Sequence, residues 1–365
     1  MARIGIVIYS LAGAGAERVS VNLAHEFVVA GHAVDLVLAS GEGELMEEVP
    51  GVAGIHVARA GGAKAWRSVI RDYADAQSPD VLLAMMEGAG VLAIQAVKGR
   101  VPVYVVSHIH FSRHSRAATR WKERWLMPLA ARWYLPSAAG VIGVSEGVSE
   151  NIRCAAGLKP EKVHTIYNPI LNQAFYRKAA EPMDHRWFLP DRDWLTVVTV
   201  GRLTEQKDHD TLLRAIREAA RERSVRLVVL GQGERLAELQ AVAEELGIGG
   251  MVEFARFDPN PYRYIAAADV FALSSRWEGF GNVLVEALAC GTTVVSTDCP
   301  SGPSEILEDG RYGELVPMGD SEALASALMR APGREETASG TLDSHLNQFD
   351  SGLVARRYLR LMGLG

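Results

Sequence analysis

Two short stretches in the C-terminal half carry residue types suited to a charged leaving group. The first is Gly201-Arg202-Leu203-Thr204-Glu205-Gln206-Lys207-Asp208, directly after an apolar run at 196–200. Ligands of open parallel sheets gather at the carboxyl ends of strands. Arg202 offers a planar fork and Lys207 a point charge, so the two together suit a diphosphate. Taken alone, this stretch also reads as a solvated loop with incidental charges. The second stretch, Ser274-Ser275-Arg276-Trp277-Glu278-Gly279-Phe280-Gly281-Asn282-Val283-Leu284-Val285-Glu286-Ala287, follows an apolar run at 270–273. It opens a helix that runs to Ala289 and stops at Gly291. Gly279 and Gly281 let the backbone approach a ligand closely. The helix start, with Asn282 and Val283, presents free N–H groups and a positive dipole end to a phosphate. Glu286 lies about one turn in, where a carboxylate bonds a ribose diol, and Glu278 sits in the loop, nearest a sugar. For either glutamate alone, a helix-start charge is the plainer alternative.

The elements that position these residues repeat as strand, glycine-marked loop and helix. Residues 3–9 form an apolar run, followed by Gly13, Gly15 and a helical stretch over 17–30 with Val21, Ala24 and Val28 on one face. Further runs lie at 33–38, 81–84, 103–106 and 141–144. A second series occupies 195–200, 226–230, 251–254, 270–273 and 293–296. Near-continuous apolar strands alternating with helices imply parallel sheets covered on both faces. Residues 168–193, rich in proline and charge, read as a linker, and 331–344 as a polar loop. The expected organisation is α/β: a Rossmann-like domain over 1–168, a second over 169–350, and a helix in 351–365 crossing back with Tyr358 and Leu361 on a face.

A chain of 365 residues exceeds one ordinary core, in line with two domains. A net charge of −6 argues against nucleic-acid binding through the whole surface. Cys154, Cys290 and Cys299 are widely spaced, which excludes a zinc knuckle or disulfide framework and suits a reducing cytosol. No apolar run approaches the ~20 residues of a membrane-spanning helix.

The second-domain segment resembles the Glu-x7-Glu signature of family 4 retaining glycosyltransferases with the GT-B fold. Gly201-Arg202-Leu203 with Lys207 matches the same family's phosphate loop. The similarity extends to Gly231-Gln232-Gly233-Glu234, Asp269-Val270-Phe271 and Asp298-Cys299-Pro300-Ser301-Gly302-Pro303-Ser304-Glu305, covering the second domain and, more loosely, the first. The resemblance implies two Rossmann-like domains facing across a cleft. It implies that Arg202 and Lys207 bind the diphosphate, Glu286 the ribose and Glu278 the donor sugar. Gly201, Gly279, Phe280, Gly281, Asn282 and Val283 complete the donor site. Substitution would proceed on one face of the sugar without an enzyme nucleophile, the leaving phosphate taking the acceptor's proton. Arg202 and Lys207 in place of a cation imply metal independence and no cofactor. Two Asp-x-Asp triplets, Asp191-Arg192-Asp193 and Asp208-His209-Asp210, run against that expectation. The first precedes a strand, and in the second Asp208 suits a helix N-cap.

In the first domain, Gly13-Ala14-Gly15-Ala16-Glu17-Arg18 resembles the family's Gly-Gly-Ala-Glu-Arg loop, with Ala14 in place of the first paired glycine. It also imitates a dinucleotide fingerprint but carries Arg18 where glycine is needed. Gly15 is assigned to the donor side. The family places a histidine after the strand at 103–106, which implies that His108 reaches the donor sugar. His110 is the neighbouring alternative, assigned to the acceptor, and a structural hydrogen bond is the bland reading of either.

Residues 111–134 hold Arg113, Arg116, Arg120, Lys122, Arg124 and Arg132 against Glu123, interleaved with Phe111, Trp121, Trp125, Leu126 and Trp133. A basic helix with tryptophans reads as an interfacial membrane helix or a cradle for a diphosphate-lipid headgroup. A core helix with a solvated cationic face is the alternative. The expected activity is transfer of a hexose or N-acetylhexosamine from a nucleotide sugar to a lipid-linked or glycan acceptor, in surface polysaccharide or lipopolysaccharide synthesis. The expected location is the cytoplasm, on the inner face of the cytoplasmic membrane. Thr297-Asp298-Cys299-Pro300-Ser301-Gly302-Pro303 and Asn260-Pro261-Tyr262 lean toward UDP-sugar users, although GDP-mannose transferases share the scaffold. A nucleotide-sugar epimerase or hydrolase and a non-enzymatic sugar-nucleotide binder are the competing classes.

Overall fold

The computed structural model describes all residues except 52–53, 59–61, 118–121, 190, 256–257 and 332–339. The chain divides into two compact units, Met1–Ile170 with Gln348–Gly365, and Leu171–Asn347.

The first unit holds seven strands: β1 (Arg3–Ile8), β2 (Ala33–Leu38), β3 (Gly54–Val57), β4 (Val81–Met85), β5 (Val103–Ser107), β6 (Gly140–Gly143) and β7 (Val163–Thr165). They pair in the order β3-β2-β1-β4-β5-β6-β7, every pair parallel. The second unit holds β8 (Leu195–Val200), β9 (Val225–Leu230), β10 (Val252–Ala255), β11 (Val270–Leu273), β12 (Thr293–Thr297) and β13 (Glu314–Val316). Its all-parallel order is β10-β9-β8-β11-β12-β13. Each sheet is doubly wound, and the strand order reverses between β1 and β4 and between β8 and β11. Loops leave opposite faces at such a point and open a crevice for a ligand.

The central strands are apolar on both faces because helices cover both. Ile4, Ile6, Val7 and Leu82 in the first unit, and Val197, Val198, Val270 and Phe271 in the second, are fully buried. Each unit has its own core.

Three parts of the structure depart from the sequence reading. The described residues of 171–193 are not a free linker: they pack into the second unit. The helix Gln173–Ala179 is capped by Asn172, whose Oδ1 accepts from the Phe175 N–H, and Phe175 packs edge-on against Tyr262. His185 pairs with Glu253 at 3.0 Å, and the Trp187 carbonyl accepts from the Thr196 hydroxyl at 2.8 Å. The expected loop at 331–344 gives way to the helix Gly340–Leu346, anchored by buried His345, whose Nε2 lies 2.7 Å from the Ile306 carbonyl; residues 332–339 lie outside the described residues. Strands β3, β7 and β13 were absent from the sequence reading, and all three are sheet edges.

The helix Ser351–Leu361 belongs to the first unit, with Tyr358 fully buried and the Tyr104 hydroxyl donating to the Leu361 carbonyl. Among the described residues no helix is long and apolar enough to cross a membrane.

Candidate functional site

The two chemistry-bearing loops of the second unit leave β8 and β11, the strands that flank its switch point. They are stitched together by the backbone. The Gln206 side chain donates to the Trp277 carbonyl, the Arg276 N–H to the Gln206 carbonyl and the Ser274 hydroxyl to the Lys207 carbonyl, each at 2.8 Å. Leu203, with no exposed surface, plugs the first loop into the core.

At the centre, Lys207 Nζ lies 2.6 Å from Glu278 Oε1, and the Ser275 hydroxyl donates to the same oxygen at 2.6 Å. Both side chains are largely buried, which strengthens the attraction but makes either charge costly to leave alone. The Glu278 backbone is tied to the loop after β12: its N–H donates to the Pro300 carbonyl at 2.8 Å, and the Ser301 N–H donates to its carbonyl at 3.3 Å. Beneath it, buried Cys299 has its thiol pKa pushed up to about 12, first by burial and then by the charge of Glu278.

Gly281 caps the helix Asn282–Ala289 in the left-handed conformation (φ 96°), so the chain turns sharply before the helix begins. Gly302 packs so close that a Cβ there would stand 1.9 Å from the Phe280 carbonyl oxygen. Phe280 is 3% exposed and packs into the core beside this turn. Asn282 and Val283 form the first turn, and Glu286 lies on the same helix, 9% exposed. Gly201 is half-buried and Arg202 exposed.

Asp208 stands at the start of the helix His209–Ala219, but in the left-handed conformation and without a side-chain bond to the helix backbone. Asp208 thus holds the expected N-cap position but does not cap the helix through its side chain. Its carboxylate instead accepts from the Thr211 hydroxyl at 3.0 Å and pairs with Arg276 at 3.1 Å. Asp210 pairs with Arg235 at 2.7 Å.

In the first unit, Gly15 begins the helix Gly15–Val29 at the end of β1, and the loop is tied down by Glu17. One Glu17 oxygen accepts from the Ala14 N–H at 2.6 Å and the other from the Ser10 hydroxyl at 3.2 Å. Arg18 pairs with Glu48. His108 follows β5 directly. Its Nε2 is buried without a hydrogen-bond partner, and burial depresses its pKa to about 3, so the imidazole is neutral. His110 Nδ1 is likewise buried and unbonded, its pKa lowered by burial and then by Arg113 and Arg116.

Arg113 and Arg116 are exposed on the helix Phe111–Ala117. Arg120, Trp121 and the Lys122 side chain lie outside the described residues. A π-helical turn, Lys122–Leu126, leads into the helix Met127–Tyr134. Across these two elements Trp125, Leu126, Leu129 and Trp133 are 64%, 45%, 55% and 78% exposed, which rules out the core-helix alternative for them. Arg124 is also exposed, its guanidinium over the Trp125 ring.

Sequence reasoning missed Gln206, Ser275, Ser301 and Glu87. The first three act through loops that only the fold brings together. Glu87, 2% exposed at the end of β4, accepts from the Ser107 hydroxyl and carries no motif around it.

A doubly wound pair of units, one with a Lys–Glu pair and a glycine-capped helix start at its switch point, defines an α/β protein of two Rossmann-like units. The model described as "Glycosyltransferase Family 4" matches residues 13–171, and that described as "Glycosyl transferases group 1" matches 185–338. The chain belongs to the family 4 glycosyltransferases of the GT-B fold. Over 193 residues it is 35% identical to the N-acetylgalactosamine-N,N'-diacetylbacillosaminyl-diphospho-undecaprenol 4-alpha-N-acetylgalactosaminyltransferase of Campylobacter jejuni, covering 53% of this chain and 50% of that protein. Over 170 residues it is 36% identical to the lipopolysaccharide core biosynthesis glycosyltransferase LpsE of Rhizobium meliloti, covering 46% of this chain and 49% of that protein. The matched stretches thus span about half the length of these curated relatives. Among solved structures, HepE of Anabaena in complex with UDP and glucose superimposes with a TM-score of 0.80 at 21% identity, covering 100% of both chains.

Proposed function

We propose that this protein is a retaining, metal-independent glycosyltransferase. It moves a hexose or N-acetylhexosamine from a UDP-sugar to a lipid-linked or glycan acceptor at the inner face of the cytoplasmic membrane. The observation that carries this reading is the Lys207–Glu278 pair held at the β8/β11 switch point beside the glycine-capped helix start. The relatives act, by their names, on an undecaprenyl-diphosphate-linked sugar and in lipopolysaccharide core synthesis, which supports the acceptor class.

In this reading the diphosphate displaces the Glu278 carboxylate from Lys207 and is met by Arg202, Gly201 and the N–H groups at Gly279 to Val283. These fixed donors stabilise the charge that grows on the leaving group as the glycosidic bond lengthens. Glu286 holds the ribose, and Glu278, released from Lys207, takes the sugar hydroxyls. His108, neutral and with a free ring nitrogen, accepts or donates one hydrogen bond to the sugar without adding charge. The departing phosphate oxygen accepts the acceptor hydroxyl's proton, and the new bond forms on the face the diphosphate leaves. Gly15 lies by the donor phosphates, while His110, Arg113, Arg116, Arg120, Lys122 and Arg124 serve the acceptor headgroup and the anionic membrane.

The test is transfer from a panel of UDP-, GDP- and ADP-sugars to a lipid-diphosphate acceptor, with product anomers assigned by NMR and EDTA present in one arm. Lys207→Ala and Glu286→Ala should each abolish or nearly abolish transfer while the protein stays folded. Full activity of either at limiting donor overturns its role; an inverted anomer or EDTA sensitivity overturns the proposed chemistry. Isomerised or hydrolysed UDP-sugar without acceptor identifies the epimerase or hydrolase class instead.

A further inference from the structure

The first unit contains a buried acid that the scheme above leaves unused. Glu87 opens the helix Glu87–Val97 at the carboxyl end of β4, beside the β1/β4 switch point. An ordinary glutamate in the first turn of a helix faces water. This one is 2% exposed and bonded to the hydroxyl of Ser107, itself fully buried. Burial raises its pKa, opposed only by the Ser107 bond and its own backbone N–H.

The surroundings show a place built to hold it. Met86, just before it, has φ 139°, a region L-residues rarely adopt and which is stored strain. The helix packs close against β5, where a Cβ at Gly90 would stand 2.6 Å from the Val105 side chain. The strands pair as far as Met85 opposite Val106, so Glu87 and His108 each stand two residues beyond the last paired position. Ser107 is the residue whose torsions aim His108, whose Nε2 is buried and unbonded.

We infer that Glu87 is a positioning residue: through Ser107 it fixes the turn that directs the His108 imidazole. The inference rests on the reading of His108 as the first unit's sugar-facing group. Burying a carboxyl is costly unless it is hydrogen-bonded, and the bond in turn holds its partner in place. Here the held feature is one hydroxyl, one residue from the imidazole.

The test uses the full-length chain with isotope-labelled histidine. In the free protein, Glu87→Ala and Ser107→Ala should each move and broaden the His108 ring resonances, while Glu87→Gln, which keeps an acceptor oxygen, leaves them in place. In transfer assays, loss of one such bond corresponds to about a tenfold fall in kcat. Glu87→Ala should show it with donor KM unchanged, and Glu87→Gln should restore most of it. The double variant Glu87→Ala/Ser107→Ala should be no worse than either single one, because the two act as one unit. Unmoved His108 resonances, or additive losses, overturn the inference. Should Glu87→Ala fail to fold, Ser107→Ala and Glu87→Gln still decide it, since only the first should disturb His108. Full activity of His108→Ala would remove the histidine's part in transfer and leave the resonance arms standing, so the two failures are distinguishable.

Discussion

A single Glu278 oxygen takes both the Lys207 ammonium and the Ser275 hydroxyl, so without donor the site's cation is neutralised by the site's own carboxylate. Replacing Glu278 by Gln should free Lys207 for phosphate. Calorimetry should find UDP alone bound more tightly than by the wild type, while transfer falls about 10–100-fold for want of a charged hydrogen bond to the sugar. Weaker UDP binding by Glu278→Gln would mean that the pair assembles the site and does not hold it in reserve. A second residue-scale expectation concerns buried His209, next to Lys207. Burial first, and then Lys207 and Arg235, depress its pKa to about 4 from 6.5. A depressed histidine contributes stability that is present above pH 6.5 and lost as pH falls toward the folded value, because the unfolded chain takes up the proton first. His209→Asn should therefore flatten the decline in urea-derived stability between pH 6.5 and 4, by on the order of 2 kcal/mol; an unchanged slope refutes it. Lys207, Glu278 and Glu286 stand out in the sequence as candidates by type and spacing. That Lys207 and Glu278 touch is not legible there, since it depends on loops 71 residues apart.

Elements were legible in proportion to how fully they are buried. Strands covered on both faces, such as 33–38, 195–200 and 270–273, show as apolar runs and match the structure residue for residue. Edge strands have one neighbour and partial cover, so β3 reads Gly-Ile-His-Val with alternating exposure and β7 reads Val-His-Thr. Neither carries the signal on which an apolar run depends. The segment at 171–193 misled for a related reason: its prolines and charges suggest a linker, yet it is fastened through the Lys178 carbonyl, His185 and Arg192, polar groups whose partners Asn260, Glu253 and Asp269 lie far along the chain. The β12 loop supplies the prediction at this scale. Gly302→Ala meets the Phe280 carbonyl and a φ of 98°, and together these should cost about 3 kcal/mol. Tm should fall by roughly 6–12 °C for a unit of this size. UDP binding should weaken in parallel, because the displaced residue is Phe280 itself. A Tm within a degree of wild type would show that the loop yields freely.

Over the whole molecule a net charge of −6 repels an anionic bilayer, so any docking must come from a local face. The exposed residues of 111–134 are candidates for one: Arg113, Arg116 and Arg124 are cationic, and Trp125, Leu126, Leu129 and Trp133 are exposed large apolar side chains. Leu129 and Trp133 are one helical turn apart, so they share a face of the helix Met127–Tyr134. Each cation near the surface contributes roughly 1 kcal/mol, and that part is screened within a Debye length, while inserted tryptophan is indifferent to salt. The two parts therefore separate in vesicle flotation. With phosphatidylglycerol vesicles at low salt the wild type should float, and rising salt should release part of it. Arg113→Glu, Arg116→Glu and Arg124→Glu together should abolish the salt-sensitive part, a loss above 100-fold from reversing three charges. Trp125→Ala with Trp133→Ala should lower binding by a similar factor at low and high salt. Transfer to a short water-soluble acceptor should be untouched by the tryptophan pair, since it lies outside the donor loops. Flotation indifferent to both sets would assign this face to a protein partner or a second copy and remove the bilayer from the acceptor side.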